Sequence, residues 1–222
     1  MLERYVLPDH IVAEREFMPA VSWWRFPPKF NVAPRQYVPA IRVHQGQAEG
    51  VMMRWGLIPS WAENREAGEL LACADLDQIE QSKAFRMPWL ESQRCILPMA
   101  GFYTWRLNRR RFRQPHFVQL NNRNVIGVAA IWDRSEGGEE EVTESCTVVT
   151  VPANDLLARI VTPPARMPAI LRRKDYATWL EGTPVEARAT LAPYNANWMQ
   201  AHTVSPRVNS AEPDDPELIR PM

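Results

Sequence analysis

Residues 98–113 read Pro-Met-Ala-Gly-Phe-Tyr-Thr-Trp-Arg-Leu-Asn-Arg-Arg-Arg-Phe-Arg, and this stretch decides how the rest of the chain is interpreted. From Cys95 to Trp105, apolar and aromatic residues alternate with small ones, which is typical of a strand packed in a core. Five arginines then follow within eight positions. The pattern predicts a buried strand that delivers a positively charged edge to solvent; the alternative is a solvated hairpin turn.

The arginines after Trp105 are suited to a polyanionic partner. Guanidinium groups pair well with phosphate oxygens, and Trp105, Phe112 and Phe117 offer faces on which bases could stack. Between Arg94 and Arg123 there is no Asp or Glu. The whole chain has 26 basic and 26 acidic residues, so its formal net charge is zero. Binding to nucleic acid must therefore come from local asymmetry of charge.

The composition predicts one intracellular domain spanning residues 1–222, without a low-complexity linker. Cys73, Cys95 and Cys146 lie far apart and form no CxxC pair, which argues against a disulfide framework or a zinc site. We expect buried thiols, a reducing cytoplasm, and neither a cofactor nor a metal ion. No segment approaches the length of a membrane span, and no signal peptide is evident, so no membrane partner is expected.

Many short strands and about four short helices predict an α+β domain built on antiparallel or mixed sheets. Tyr37–Val43 and Val51–Trp55 should form a hairpin around Gly46, and Pro152-Ala153-Asn154-Asp155 should cap a short helix from Leu156 to Ile160. Helical spacing also predicts helices over Glu66–Leu71 and Leu76–Phe85, with Pro88 ending the second. Strands at His116–Leu120 and Val125–Trp132 should continue the opening strand as an antiparallel meander, with further extended stretches at Cys146–Val151 and Arg166–Leu171.

Several separated stretches of this sequence resemble motifs of the SOS-response-associated peptidase (SRAP) family and occur in the same order and spacing as in that family. They span essentially the whole chain: Arg4, Lys29–Pro34, Trp55–Trp61, Ala100–Trp105, Gln114-Pro115, Thr150–Asn154, Arg166–Leu171 and Val204–Asn209. The resemblance implies sheets curled into a barrel-like core with short flanking helices, and a cationic groove for single-stranded DNA. It also implies a covalent thiazolidine between an N-terminal cysteine and an abasic site. Such a reaction needs an amine and a thiolate on one residue, because the amine forms the Schiff base and the thiolate closes the ring.

This sequence departs from the family pattern at the reactive positions. Leu2 stands where the family has its cysteine, and a leucine there should also block removal of Met1. Thr104 replaces a proton-transferring glutamate, Pro164 a histidine, and Cys73-Ala74-Asp75 an Asn-Ala-Arg segment that holds the lesion and its phosphate. We therefore expect no intact catalytic set, and no Ser or Cys protease triad is evident either.

The positions at which the family contacts DNA are better retained than its reactive positions. The candidate DNA-binding residues are Arg4, Asn31, Trp61, Arg106, Arg109, Arg166 and Arg207. Arg4 and Arg166 would contact phosphates without sequence preference, whereas Asp75 would repel the backbone by like charge. The structural alternatives are that Asn31 caps a turn, that Trp55 and Trp61 belong to the core, and that Arg166 pairs with an internal carboxylate.

Two hypotheses follow. One is a degenerate member that binds single-stranded or abasic-site DNA, or a repair or phage protein, without covalent linkage. The other is an active enzyme, lyase-like or proteolytic, that uses substituted residues such as Cys73 in the pocket where the family has its catalytic residues. A further alternative is a scaffold that binds a protein partner. A thiol at Cys73 would need a base within reach, and Asp75 or Asp77 would raise its pKa rather than lower it.

Overall fold

The computed structural model describes residues 2–17, 25–62, 71–107, 112–136 and 142–222. Within them, thirteen strands and five short helices confirm the α+β class. The strands are β1 (Tyr5–Leu7), β2 (Lys29–Val32), β3 (Tyr37–His44), β4 (Gln47–Trp55), β5 (Cys73–Asp75), β6 (Arg94–Met99), β7 (Gly101–Leu107), β8 (Arg113–Leu120), β9 (Ile126–Glu136), β10 (Val142–Pro152), β11 (Arg166–Pro168), β12 (Ile170–Leu171) and β13 (Met199–Thr203). The helices are α1 (His10–Phe17), α2 (Arg86–Leu90), α3 (Asp155–Ala158), α4 (Tyr176–Glu181) and α5 (Pro184–Ala189).

Five strands close into a barrel, as the resemblance implied. β10 pairs in parallel with β4, and antiparallel pairings then run from β4 through β3 and β6 to β9. β9 returns to β10 along seven residue pairs, which closes the ring. Closure removes the exposed edges that an open sheet would leave. β5 and β11 extend the sheet from β10, and β12 extends it from β9.

The single strand predicted from Cys95 to Trp105 is wrong, because this stretch divides at Ala100 into two strands of different sheets. β6 belongs to the barrel, and β7 lies in a second sheet with the order β13-β8-β7-β1-β2. Successive side chains of a strand point to opposite faces. Phe102 accordingly joins the main core with the barrel, whereas Tyr103 joins a smaller cluster on the other face. Val208 and Leu218, from the 3-10 turns Pro206–Asn209 and Pro216–Ile219, cover that smaller cluster. The Pro-rich tail of the chain, from Thr203 onward, is therefore packed against the rest of the fold.

Two local predictions are confirmed at their turns and caps. The β3–β4 hairpin turns at Gln45 and Gly46, with φ values of 50° and 73°, in the left-handed region that glycine adopts at little cost. Asn154 Oδ1 accepts a hydrogen bond from the Leu157 amide at 3.1 Å and so caps α3.

The helix predicted over Leu76–Phe85 is wrong, because this segment forms successive turns. The Leu76 amide donates to the Thr150 carbonyl at 3.0 Å, and the Arg188 guanidinium binds the Leu76 carbonyl, so contacts with distant parts of the chain hold the start of this segment. Pro88 also lies inside α2, in its first turn, where an amide hydrogen is not needed.

The predicted meander holds from β7 to β8 and fails at β9, which belongs to the barrel. Residues 66–70 of the other predicted helix, and the arginines at 109–111, lie outside the described residues. In the part of the chain that is described, no helix is long and apolar enough to cross a membrane.

Candidate functional site

Thr104 lies at the edge of a cavity of about 160 Å³, hereafter the Thr104 cavity. Glu3, Trp105 and Arg113 contribute to its wall, together with Val161 and Thr162. The last two residues immediately precede the proline pair that contains Pro164. The fold therefore brings three distant segments to one point: the start of the chain, the β7–β8 hairpin and the loop before β11.

An ion pair lines this cavity. Arg113 Nη2 donates to Glu3 Oε1 at 2.6 Å and to Oε2 at 2.7 Å, and its guanidinium carbon lies 4.8 Å from the centre of the Trp105 ring. Trp105 is fixed from its other end, because its Nε1 donates to Asn209 Oδ1 at 2.7 Å. A carboxylate and a guanidinium thus lie beside Thr104, although Thr104 itself carries neither an acid nor a base.

Leu2 directly precedes the cavity residue Glu3 in the chain, and its side chain is buried with 5% exposure and packs in the main core. Its carbonyl accepts a weak hydrogen bond from Cys73 Sγ at 3.4 Å. Burial raises the pKa of the Cys73 thiol to about 12, so it stays protonated at neutral pH. Leu2 therefore contributes an apolar side chain and Cys73 a protonated thiol, and neither presents a thiolate.

Arg166 is bound internally on several sides. Its Nε donates to Thr150 Oγ1 at 3.2 Å and its Nη2 donates to the Thr150 carbonyl at 2.8 Å. The guanidinium also pairs with the Asp75 carboxylate and, at 3.0 Å, with Asp77 Oδ2. One cation faces two carboxylates, so the cluster of these three side chains has a net charge of −1.

His116 lies directly opposite Thr104 in the antiparallel register of β7 and β8. Its Nδ1 is 3.2 Å from the Gln114 carbonyl, which can only accept, so Nδ1 carries the hydrogen. Burial lowers the pKa of His116, with smaller contributions from Arg106 and His202. Both effects favour the neutral imidazole, against the hydrogen bond to Gln114, which acts in the opposite direction. Sequence reasoning left His116 unassigned because its link to Thr104 depends on strand register.

Asn31 holds the tail in place. Its side chain, 2% exposed, donates from Nδ2 to the carbonyls of Ser210 and Pro213 at 2.8 and 2.9 Å. The Asn31 amide also donates to Asp214 Oδ1 at 3.1 Å. Both observations describe a structural role in which the amide group is turned away from solvent.

The remaining candidates differ in accessibility. Trp61 is 52% exposed, with Lys83 Nζ lying 4.1 Å from its ring centre, so it is a surface aromatic rather than a core residue. Arg106 is exposed on β7, and Arg207 pairs with Asp215 Oδ2 at 2.6 Å. Arg4 is half-buried and donates to the Glu3 carbonyl at 2.9 Å. Arg109 lies outside the described residues. Among those that are described, no group of three or more His, Cys, Asp or Glu side chains is arranged to hold a metal ion.

Residues 3–211 match the family model described as SOS response associated peptidase (SRAP). The chain belongs to the SRAP family. It is 33% identical over 196 residues to the Abasic site processing protein YoqW of Bacillus subtilis, covering 86% of this chain and 85% of that protein. It is 28% identical over 232 residues to the Abasic site processing protein HMCES of Gallus gallus, covering 89% of this chain and 67% of that one.

The fold is shared with solved structures. A crystal structure of a protein from Bordetella bronchiseptica superposes with a TM-score of 0.78 at 25% identity, covering 91% of this chain and 99% of that one. In this SRAP-family chain, Glu3 and Arg113 are the cavity residues that sequence reasoning did not assign to the site. Arg113 was noted as part of the arginine run, but only the fold shows that it faces Glu3.

Proposed function

We propose that this chain binds abasic-site or single-stranded DNA in the DNA-damage response, or in a phage, without forming a covalent bond to it. The observation that carries the proposal is the Leu2 side chain, buried where the family is expected to present its cysteine. An aldehyde carbon needs an attacking amine and thiolate to become a thiazolidine. A leucine side chain supplies no thiolate, so the carbon–sulfur bond that closes the ring cannot form.

The neighbouring residues do not replace the missing groups. Cys73 is the cysteine next to this position, and a thiol with a pKa of about 12 has almost no thiolate at pH 7. Thr104 can donate and accept hydrogen bonds, but it does not exchange a proton near neutral pH as a glutamate does. These two facts support binding over both the lyase-like and the proteolytic alternatives.

Several features support retained contact with DNA. The named relatives are abasic site processing proteins, and Trp61 offers an exposed ring on which a base can stack. Arg106 adds exposed positive charge on β7 near the Thr104 cavity. Because the Asp75 and Asp77 carboxylates already neutralise Arg166, we expect weaker binding than an uncompensated arginine would give.

The test uses single-stranded DNA with one central abasic site, beside the same strand without the lesion. We expect a mobility shift at low salt that favours the lesion, and no covalent band on a denaturing gel. A covalent band in the unmodified protein would overturn the proposal. No shift at low salt would remove DNA as the partner and would leave a protein partner or a structural role.

A gain-of-function variant checks the assignment of Leu2. Leu2→Cys combined with Thr104→Glu, prepared so that residue 2 is the first residue of the chain, should form a covalent band with the abasic strand. Leu2→Ser with Thr104→Glu is the matched control, because serine provides an amine but no thiolate. If the cysteine variant folds and binds the lesion but never crosslinks, a cysteine at position 2 and a glutamate at position 104 are not sufficient for the reaction, and the assignment of Leu2 to the nucleophile position loses its support.

A further inference from the structure

A second charged and aromatic surface lies at the opposite end of β8 from the Thr104 cavity. Arg113 is the first residue of β8 and Leu120 is the last, which separates the two ends by about 23 Å at about 3.3 Å per residue. Just beyond Leu120, the Asn121 amide donates to the Trp198 carbonyl at 2.9 Å. The surface around Trp198 is therefore distinct from the Thr104 cavity.

Two adjoining depressions form this surface. One is an open groove of about 540 Å³ that is lined by four cationic and two aromatic side chains: Arg123, Arg172, Arg173, Lys174, Tyr194 and Trp198. The other, of about 290 Å³, shares three of these, Arg172, Tyr194 and Trp198. We refer to the pair as the Trp198 groove. Their volumes are comparable to those of ligand pockets, about 300–1,000 Å³.

The charge of the groove is positive and only partly compensated. Arg172 Nε pairs with Asp175 Oδ2 at 2.6 Å, and Arg123 Nη1 lies 3.5 Å from Glu16 Oε1. Arg173 and Lys174 are exposed and form no ion pair with any described residue. Four cations facing two carboxylates leave a local net charge of +2, on a chain whose total formal charge is zero.

The aromatic rings are held in place although one of them is exposed. Trp198 is 51% exposed, and its ring lies 5.9 Å from that of Tyr194 in an edge-to-face arrangement. Asn195 Oδ1 accepts from the Asn197 amide at 2.9 Å and caps the 3-10 turn Ala196–Trp198. Asn121 Nδ2 binds the Asn197 carbonyl at 3.1 Å. These contacts fix the backbone that presents the indole, so little freedom is lost when a ligand stacks on it.

Exposed cations next to an indole on a fixed backbone suit one class of partner better than others. Single-stranded nucleic acid carries phosphates for the cations and bases that stack on aromatic rings, and such contacts do not depend on sequence. An acidic peptide would use the cations but would leave the indole face without a base to stack on. We propose that the Trp198 groove is a second binding surface for single-stranded nucleic acid, which extends the proposed function beyond the lesion site.

The test measures fluorescence anisotropy of a labelled oligothymidine without a lesion, across a salt series. Arg173→Ala with Lys174→Ala should reduce the slope of log affinity against log salt by about 1.4, at about 0.7 for each phosphate contact to a single strand. Arg134→Ala with Arg220→Ala is the matched control, because it removes two exposed cations outside the groove. We expect the control to leave the slope unchanged.

Trp198→Ala should weaken binding by roughly 5- to 150-fold without changing the slope, and Trp198→Phe should restore most of the affinity. The proposal is wrong if the groove and control variants lose the same slope, or if Trp198→Ala binds like the unmodified protein. Equal binding of poly-glutamate and oligothymidine, without dependence on Trp198, would instead identify a general anion site. This proposal rests on the proposed function in so far as both require binding to a single strand, and loss of all binding would contradict both. Because the probe carries no lesion, binding that depends on Trp198 without any preference for the abasic strand would contradict only the lesion part of the proposed function. Binding that prefers the lesion but does not depend on Trp198 would contradict only the groove.

Discussion

Replacing Asp75 and Asp77 by asparagine should strengthen binding to single-stranded DNA. Both carboxylates pair with Arg166, which keeps that guanidinium from offering net positive charge to a phosphate. Asparagine retains the shape and an oxygen that accepts hydrogen bonds, so the Arg166 contacts to Thr150 should persist. The change therefore removes two negative charges while leaving the cation in place.

The expected size follows from Coulomb's law. A unit charge about 6 Å from a phosphate contributes about 0.7 kcal/mol at the dielectric constant of water, so two charges contribute about 1.4 kcal/mol. This free energy corresponds to an increase in affinity of about tenfold. A newly formed phosphate contact should also steepen the slope of log affinity against log salt by about 0.7. The loss of partly exposed ion pairs should cost about 1 kcal/mol of stability or less.

The assay is anisotropy of a labelled single strand over a salt series, with thermal unfolding measured in parallel. Glu91→Gln with Glu181→Gln is the matched control, because both glutamates are exposed and the change in net charge is the same. An unchanged affinity and slope in the aspartate variant would refute the reasoning, since Arg166 would then lie out of reach of the DNA. An equal gain in the control would show that net charge alone controls binding.

Three other outcomes are expected. Trp61→Ala should weaken single-strand binding by roughly 5- to 150-fold while leaving urea unfolding unchanged, because the ring is exposed; unaltered binding would assign it no part in the interface. Asn31→Ala should lower the free energy of unfolding by about 1–3 kcal/mol in urea titration, since two tail carbonyls lose their donor; a stability equal to that of the unmodified protein would contradict this. The pKa of the Cys73 thiol is raised from an ordinary value of 9 to about 12. Between about pH 9 and pH 12 only the unfolded chain therefore releases this proton. We expect the contribution of Cys73 to the free energy of unfolding to be complete below pH 9 and to be lost as the pH rises through this range. Cys73→Ala should remove that part of the pH dependence, and a profile identical to that of the unmodified protein would show that the thiol is not its cause.

Much of the fold could be predicted because the relevant signals are local. The apolar pattern from Cys95 to Trp105 indicated extended, buried chain, although this stretch forms two strands, β6 and β7, and not one. The glycine at position 46 marks a turn that needs positive φ. Asn154 caps its helix through an amide three residues away. In each case the residues that interact lie within one element or one turn, so periodicity and residue type are sufficient.

The errors have a common cause in long-range contacts. Leu76–Phe85 has helical spacing, but its first residue is bound by Thr150 and Arg188, which lie far along the chain. The partition of β8 and β9 into different sheets likewise depends on which strands close the barrel. Local patterns cannot report such competition, because tertiary contacts override helical propensity.

The sequence alone determined which chemical groups this protein has at the family's positions: an apolar side chain at Leu2, a hydroxyl at Thr104 and a carboxylate at Asp75. It also indicated where strands lie, because the two-residue period of a strand can be recognised from consecutive residues. Only the tertiary structure decided what these groups face. Arg166 pairs with Asp75, 91 positions away in the chain, and Glu3 pairs with Arg113, 110 positions away. The Trp198 groove combines cations from two separate segments with aromatic rings from a third. Electrostatic and hydrogen-bonding energies depend on distances in space, so the charge that a bound strand of DNA would encounter is set by the fold.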